Sequence, residues 1–306
     1  MEKNKVAKPF VKWAGGKTQL LPKLMDIINQ NYINKEIKQY IEPFIGGGAL
    51  FFLLYSQNKI KSAILSDINQ DLILVYTTVQ KYVQSLITQL QLLVDEYYKS
   101  DIESQEYMFY SIRKSYNLER LDFNYIGEEA HDFVDRATKF IFLNRTCFNG
   151  LFRQNNKGEF NVPFGKYKKP KICDTDNLIA CSIALQDAQI ICGDFESSLQ
   201  YICKNSLIYL DPPYKPISKT SSFTKYHKDN FDDNDQIRLA NYIKSVDKLG
   251  ANIILSNSDP KVANNNDFFD QLYKEFNITR VEAMRNIGSS SNSRVYVKEL
   301  LINNLG

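Results

Sequence analysis

Histidine is nearly absent: His131 and His227 are the only two in 306 residues, too few for a His-rich metal site. Cysteine is scarce and odd in number. Cys147, Cys173, Cys181, Cys192 and Cys203 show no C-x-x-C spacing, and three lie in apolar stretches. They read as buried free thiols rather than disulfides or zinc ligands, and no metal is expected. No apolar run approaches the ~20 residues that span a bilayer, which argues against a membrane partner. Met1-Glu-Lys-Asn-Lys5 is charged and lacks an apolar h-region, so no secretory signal is visible and a cytoplasmic location is expected. A large charge of one sign is missing as well. The net +3 is too small to imply nucleic acid by itself.

What is present is an ordinary globular composition, 43% hydrophobic and 24% charged, in a chain long enough for one large domain or two. Basic charge is concentrated even though the total is small. Arg145, Arg153, Lys157, Lys166, Lys168, Lys169 and Lys171 fall within 27 positions, with Phe148, Phe152, Phe160, Phe164 and Tyr167 between them and Glu159 as the one acid. Such a segment can neutralise phosphates and put aromatic rings into a groove. From composition alone, a solvated basic loop fits equally well.

Two regions read as α/β. In the first, Gln39–Pro43 is strand-like, Gly46-Gly47-Gly48 makes a turn, Ala49–Tyr55 starts a helix, and Ser62–Ser66 is a second strand ending at Asp67. In the second, strands are predicted at Ala188–Cys192, Ser206–Leu210 and Ala251–Leu255, with Asn277–Ala283 and Arg294–Ile302 as a closing antiparallel pair. Strands alternating with helices argue for a mostly parallel sheet covered on both faces. Between these regions Leu72–Leu121 has apolar residues at helical spacing, such as Leu86, Leu90, Leu93 and Tyr97. Asp132–Leu143 is another helix, and Asn155–Gly158 can turn a hairpin. The expected organisation is an α/β domain from 1–75 and 176–306, with a helical-plus-hairpin insertion at 76–175.

Four residues carry the most chemical information. Asp211-Pro212-Pro213-Tyr214 follows the apolar run Ser206–Leu210, where a buried strand ends. The Asp211 carboxylate and the Pro212 carbonyl can each accept an N–H from one exocyclic amine, and Tyr214 can stack on the ring that bears it. Proline fixes φ and donates nothing, which holds that carbonyl in place. An ordinary turn has the same composition, so the tetrapeptide alone leaves both readings open. The glycine turn after the first strand and Asp67 after the next suit a nucleoside ligand, whose ribose hydroxyls Asp67 can hold. Two other nucleotide folds fit poorly. Gly16-Lys17-Thr18 imitates a P-loop, but Val11 stands where its first glycine belongs. Gly46-x-Gly48 begins a dinucleotide fingerprint, but Phe51 stands where its third glycine belongs.

Lys12-Trp-Ala-Gly-Gly-Lys17, Glu42-Pro-Phe-Ile-Gly-Gly-Gly48, Asp67-Ile-Asn-Gln-Asp-Leu72 and Asp211-Pro-Pro-Tyr214 together, in this order, resemble the Dam-type (class alpha, D12 class) DNA adenine-N6 methyltransferases. The resemblance runs from about Pro9 to the C-terminus. It implies the Rossmann-like fold of S-adenosylmethionine-dependent methyltransferases, with S-adenosyl-L-methionine as cofactor and double-stranded DNA as partner. It allows a companion restriction endonuclease without identifying one, and a monomer is expected in solution. Motif by motif, it implies that Trp13 and Lys17 line the cofactor pocket and that Asp67 takes the ribose hydroxyls. Phe44, Gly46 and Gly48 would form the floor near the methionine end, and Asp194 and Phe195 would hold the cofactor adenine. Asp211, Pro212, Pro213 and Tyr214 would be the catalytic motif, with Asp211 bordering cofactor and target amine alike. Ser218, Phe223 and Tyr226 resemble the loop that receives the target adenine.

Asn144-Arg-Thr-Cys-Phe-Asn-Gly-Leu-Phe-Arg153 and Gly158–Tyr167 resemble the recognition hairpin of members that methylate GATC. On that resemblance Arg153 reads a guanine edge, Leu151 and Pro163 pack on a thymine methyl, and Lys12 reaches the outer guanine. Phe148 and Asn149 fill the gap left by a flipped base, and Tyr167 belongs to the same surface. Close relatives have Gly-Tyr where this chain has Cys147-Phe148, which removes a hydroxyl and keeps a ring that stacks. Two rivals stay open: methylation of an amine on RNA or protein by the same chemistry, and a DNA-binding module with a dead cofactor pocket.

Overall fold

The computed structural model describes residues 6–16, 18–33, 35–127, 130–214, 231–260, 267–286 and 294–305. Its centre is a seven-stranded sheet. The strands are β1 (Tyr40–Glu42), β2 (Ala63–Asp67), β3 (Ala188–Cys192), β4 (Leu207–Leu210), β5 (Asn252–Ser258), β6 (Asn277–Asn286) and β7 (Arg294–Asn303). They lie side by side in the order β3-β2-β1-β4-β5-β7-β6. The first five are parallel, and β7 is inserted antiparallel between β5 and β6. This is the mixed α/β fold that the motifs imply for an S-adenosylmethionine-dependent methyltransferase.

The central strands read as unbroken apolar runs because both faces of a parallel sheet are covered. Their period of two sends neighbouring residues into different cores. Tyr40, Ala63, Leu65, Leu207 and Tyr209 belong to one cluster, while Ile41, Ile64, Ile208, Leu210 and Leu255 belong to the other. The first cluster continues from the sheet through α3 (Gln70–Lys99), α4 (Ile102–Glu119) and α5 (Ala130–Thr146) to Phe152, Phe160 and Phe164 of the hairpin. The second lies under α7 (Asp233–Lys248) and the short α8 (Phe268–Leu272). The remaining helices are α1 (Leu21–Asn31), α2 (Ala49–Ser56) and α6 (Thr175–Leu185).

Helix α3 begins at the sheet, where the Asn69 side chain accepts the Leu72 amide at 3.0 Å. A cap of this kind contributes about 1 kcal/mol. The helix then runs across residues 75 and 76, and its helical backbone is interrupted at Tyr82 (φ −130°, ψ 30°). After α5, the hairpin is tied by bridges pairing Cys147 with Phe164 and Gln154 with Phe160. At its turn the Gly158 amide donates to the Asn155 carbonyl at 2.8 Å, and Gly158 takes φ +76°.

Strand order reverses between β1 and β4: the chain moves from β1 outward to β2 and β3, then returns to place β4 on the other side. At such a switch point the loops beyond the carboxyl ends diverge and leave a crevice. Gly46–Gly48 follows β1, and Asp211 follows β4, so the two most informative motifs flank it.

Candidate active site and nucleic-acid interface

On the β1–β2 side, Asp67 is the last residue of β2 and is buried. Its carboxylate accepts the Gly46 amide at 3.2 Å and the Asn69 amide at 3.0 Å. It therefore sits between the glycine turn and the start of α3. Gly46 and Gly48 take φ +46° and +68°, which only glycine adopts cheaply. A Cβ on Gly46 would stand 2.7 Å from Cδ1 of Trp13, so the missing side chain is what lets the indole lie on the turn. Trp13 also stacks on Phe152 at 5.3 Å and 14°. The sole tryptophan thus touches both the glycine turn and the hairpin. Beyond β3, Phe195 is buried and stacks on Phe44 at 5.6 Å. A positive-φ glycine turn, a carboxylate at the next strand end and an aromatic pair are the kinds of group that a nucleoside ligand with an amino-acid tail would need.

Asp194 caps the turn at Phe195, and its carboxylate also pairs with Arg238 of α7. The guanidinium lies 4.7 Å from the Phe195 ring centroid. Arg238 was not singled out from the sequence, because nothing local links it to a residue 44 positions away.

Asp211 is half-buried at the end of β4. Ser256 of β5 donates to its Oδ1 at 2.9 Å, and Ser256 Oγ is in turn 3.1 Å from the Tyr209 hydroxyl. The Tyr214 hydroxyl donates to Glu299 Oε2 in β7 at 2.9 Å. Burial and the nearby carboxylates push the Tyr214 phenol pKa well up, so it stays neutral and a donor. The fully buried Gln236 reaches the Pro213 carbonyl at 3.3 Å and is itself held by Asn257 at 3.1 Å. Ser256, Gln236 and Glu299 were missed in the sequence. Glu42, at the end of β1, is buried and accepts the Tyr40 hydroxyl at 2.8 Å. Burial lifts its carboxyl well above the usual range against the pull of that hydrogen bond, and the Asp211 charge adds to the lift. Chemically, the Asp211 carboxylate and the adjoining Pro212 carbonyl offer two acceptors on one short, rigid stretch.

On the hairpin, Phe148 is 45% exposed, and Lys12, Asn149, Arg153 and Pro163 are exposed with it. Leu151 and Tyr167 are half-buried. The Arg153 Nε donates to Asn161 at 2.9 Å, and Lys12 Nζ lies 5.4 Å from the centre of the Tyr167 ring. Phe148 is projected by a turn in which Asn149 takes φ +58° and the Phe148 amide donates to the Pro163 carbonyl at 2.8 Å.

Several expectations need correction. Phe152, Phe160 and Phe164 are buried in the core that the hairpin shares with α4 and α5 rather than aimed into a groove. Their burial leaves Phe148 and Tyr167 as the accessible rings of that stretch. Arg145 donates to the Phe10 carbonyl at 2.7 Å, Lys166 pairs with Glu106 at 3.5 Å, and Lys171 pairs with Asp174 at 2.6 Å. Arg145 is therefore held in the fold, while Lys166 and Lys171 carry ion pairs at the surface. Cys147 and Cys181 are buried, with thiols pushed up to about 12 by burial, but Cys192 and Cys203 are exposed. Cys192 ends β3, an edge strand, which leaves it uncovered. Lys17, Ser218, Phe223 and Tyr226 lie outside the described residues.

A surface cavity of about 320 Å³ lies away from the strand ends, between α4 and the hairpin turn, lined by Arg113, Lys114, Asn117, Arg120 and Glu159 among others. The strand-end crevice is the better candidate because topology, buried carboxylates and the glycine turn converge there. Among the described residues no cluster of His, Cys, Asp and Glu could hold a metal ion. Among them, too, no helix is long and apolar enough to cross a membrane.

Comparison with known proteins agrees with this geometry. The family model for D12 class N6 adenine-specific DNA methyltransferases matches residues 13–287. The chain is 47% identical over 298 residues to Type II methyltransferase M.MjaIII of Methanocaldococcus jannaschii, covering 97% of this chain and 99% of that protein. It is 37% identical to Type II methyltransferase M1.LlaDCHI of Lactococcus lactis subsp. cremoris, covering 100% and 99%. It is also 35% identical to the DNA adenine methylase of Haemophilus influenzae, covering 96% and 92%.

Proposed function

This chain belongs to the D12 class of N6 adenine-specific DNA methyltransferases, and from that premise we propose that it methylates adenine N6 at GATC in duplex DNA, with the target base flipped out. The observation that supports this most is the pair of acceptors beyond β4, Asp211 and Pro212, with Ser256 fixing the Asp211 carboxylate beside the switch point. Methyltransferases of this family generally use S-adenosylmethionine. When bound, it supplies an electrophilic methyl group on a sulfonium. Trp13, Lys17, Phe44, Gly46, Gly48, Asp67, Asp194 and Phe195 are the residues that would hold it.

The adenine N6 lone pair is delocalised into the ring and is a weak nucleophile. In this reading, Asp211 and the Pro212 carbonyl accept its two N–H groups. That draws the nitrogen toward tetrahedral geometry and stabilises the positive charge that develops as it attacks. The surplus proton leaves after transfer, to the Asp211 carboxylate that already accepts one N–H or to water, so no strong general base is required. Because the duplex hides N6 from such a pocket, the base leaves the stack. Tyr214, its hydroxyl anchored on Glu299, stacks on the flipped ring, an interaction worth about 1–3 kcal/mol.

The choice of GATC rests on the hairpin resemblance. Arg153 takes guanine O6 and N7, Leu151 and Pro163 contact the thymine methyl, and Lys12 reaches the outer guanine. Phe148 and Asn149 occupy the space the adenine vacates, and Ser218, Phe223 and Tyr226 receive it. The test is transfer of labelled methyl to duplexes carrying GATC, to duplexes already N6-methylated there, and to RNA and protein acceptors. Labelling of the unmethylated GATC duplex alone is expected. Labelling of RNA or protein instead would overturn the assignment.

A further inference from the structure

Asn144, in the last turn of α5, is polar yet 0% exposed. A side-chain amide offers one oxygen acceptor and two N–H donors. Here Oδ1 accepts the Lys12 amide at 2.8 Å, while Nδ2 donates to the Lys12 carbonyl at 2.8 Å and the Gly150 carbonyl at 3.2 Å. Swapping oxygen and nitrogen would face one carbonyl with two others, so the neighbours dictate this orientation. One buried group thus ties the N-terminal loop to the Phe148–Gly150 turn that follows α5, 132 and 6 positions away. The two segments are also moulded to each other: Gly150 takes φ +63°, and a Cβ there would collide with the Lys12 side chain.

We propose that Asn144 is a positioning residue for base recognition. It sets the register between Lys12 and the Phe148–Leu151 turn so that both meet one DNA site. The inference rests on reading Lys12, Phe148, Asn149 and Leu151 as DNA contacts, as above. Lys12 and the turn come from distant parts of the chain, and their offset decides whether they address the correct bases together. Removing the amide leaves one N–H and two carbonyls without this partner, and the segments lose their common reference. Trp13 follows Lys12 and lies on Gly46, so the cofactor-side turn keeps its own contact when that reference is lost.

The test compares the full-length chain with Asn144→Ala and Asn144→Asp. Asn144→Asp keeps an acceptor for the Lys12 amide and loses both donors. The preferred site of the unaltered chain is measured first, so an error in the GATC reading appears there and leaves this test intact. For each protein, kcat/KM is then measured on the preferred duplex and on duplexes altered at one position. S-adenosylhomocysteine binding is measured by calorimetry. Both variants are expected to bind S-adenosylhomocysteine normally and to lose about tenfold or more of their discrimination, the scale of one good base contact. Equal loss on every duplex with the ratio intact, or loss of S-adenosylhomocysteine binding alone, would overturn the proposal. If either variant fails to fold, Gly150→Ala disturbs the same junction from the turn. There a lowered ratio supports the proposal and an unchanged ratio overturns it.

Discussion

At the carboxyl ends of β1, β2 and β4 the expected chemical groups are braced by neighbours that are themselves buried, whereas the expected base readers on the hairpin stand on a buried core and project from it. Asp67 is fixed by two backbone amides, and Asp211 by Ser256. Arg153, in contrast, is exposed and engages Asn161 on the same hairpin. The difference fits the role proposed for each region. Charge stabilisation in a transition state works best with acceptors already in place. Side chains that read a groove have to reach outward from their support.

This contrast can be broken most severely at Asp211. Asp211→Ala is expected to lower methyl transfer by about 10²–10³-fold or more while DNA binding and the melting temperature stay near those of the unaltered chain. Near-normal turnover would remove the acceptor mechanism. Ser256→Ala sharpens the same half of the comparison. A hydrogen bond to a charged group is worth about 1.5–3 kcal/mol, so kcat should fall about tenfold to a hundredfold with little change in DNA affinity. A loss of DNA affinity instead would make Ser256 part of the interface.

On the hairpin, Arg153→Ala should cost about 1–3 kcal/mol of discrimination at one base pair and leave kcat on the correct site comparatively intact. Uniform weakening on all sequences, with a smaller salt slope, would make Arg153 a phosphate contact. The smallest effect expected is on stability. The buried Glu42 holds its proton above the ordinary glutamate value, so the native state binds more protons than the unfolded chain across the window between those values. Its contribution is present below the ordinary value and is lost as pH rises through that window. Glu42→Gln should therefore flatten the fall of the melting temperature with pH, and an unaltered slope would contradict the assignment.

Much of the sheet was legible in the sequence because buried parallel strands are short apolar runs bounded by turns. Ala188–Cys192 is β3 end to end, and Ser206–Leu210 misses β4 by one residue. The partners of the site were not legible. Ser256 and Glu299 lie in segments that look like ordinary core, and Asn144 opens the recognition segment without any local sign of what it holds. Their partners are 45 residues away for Asp211, 85 for Tyr214 and 132 for Lys12. Only the three-dimensional register brings them together. The hairpin phenylalanines show the converse limit. Composition marks Phe148 and Phe152 alike, but the turn at Asn149 sends one outward and leaves the other stacked on Trp13 and Phe140.

The most direct measurement is single-molecule sequencing of DNA from cells that lack adenine methylation and express this chain. The account predicts N6-methyladenine confined to GATC, which would establish the reaction and the base reading together. Methylation at another sequence would contradict the hairpin assignment while leaving Asp211–Tyr214 in place, and no methylation by folded protein would contradict the account as a whole.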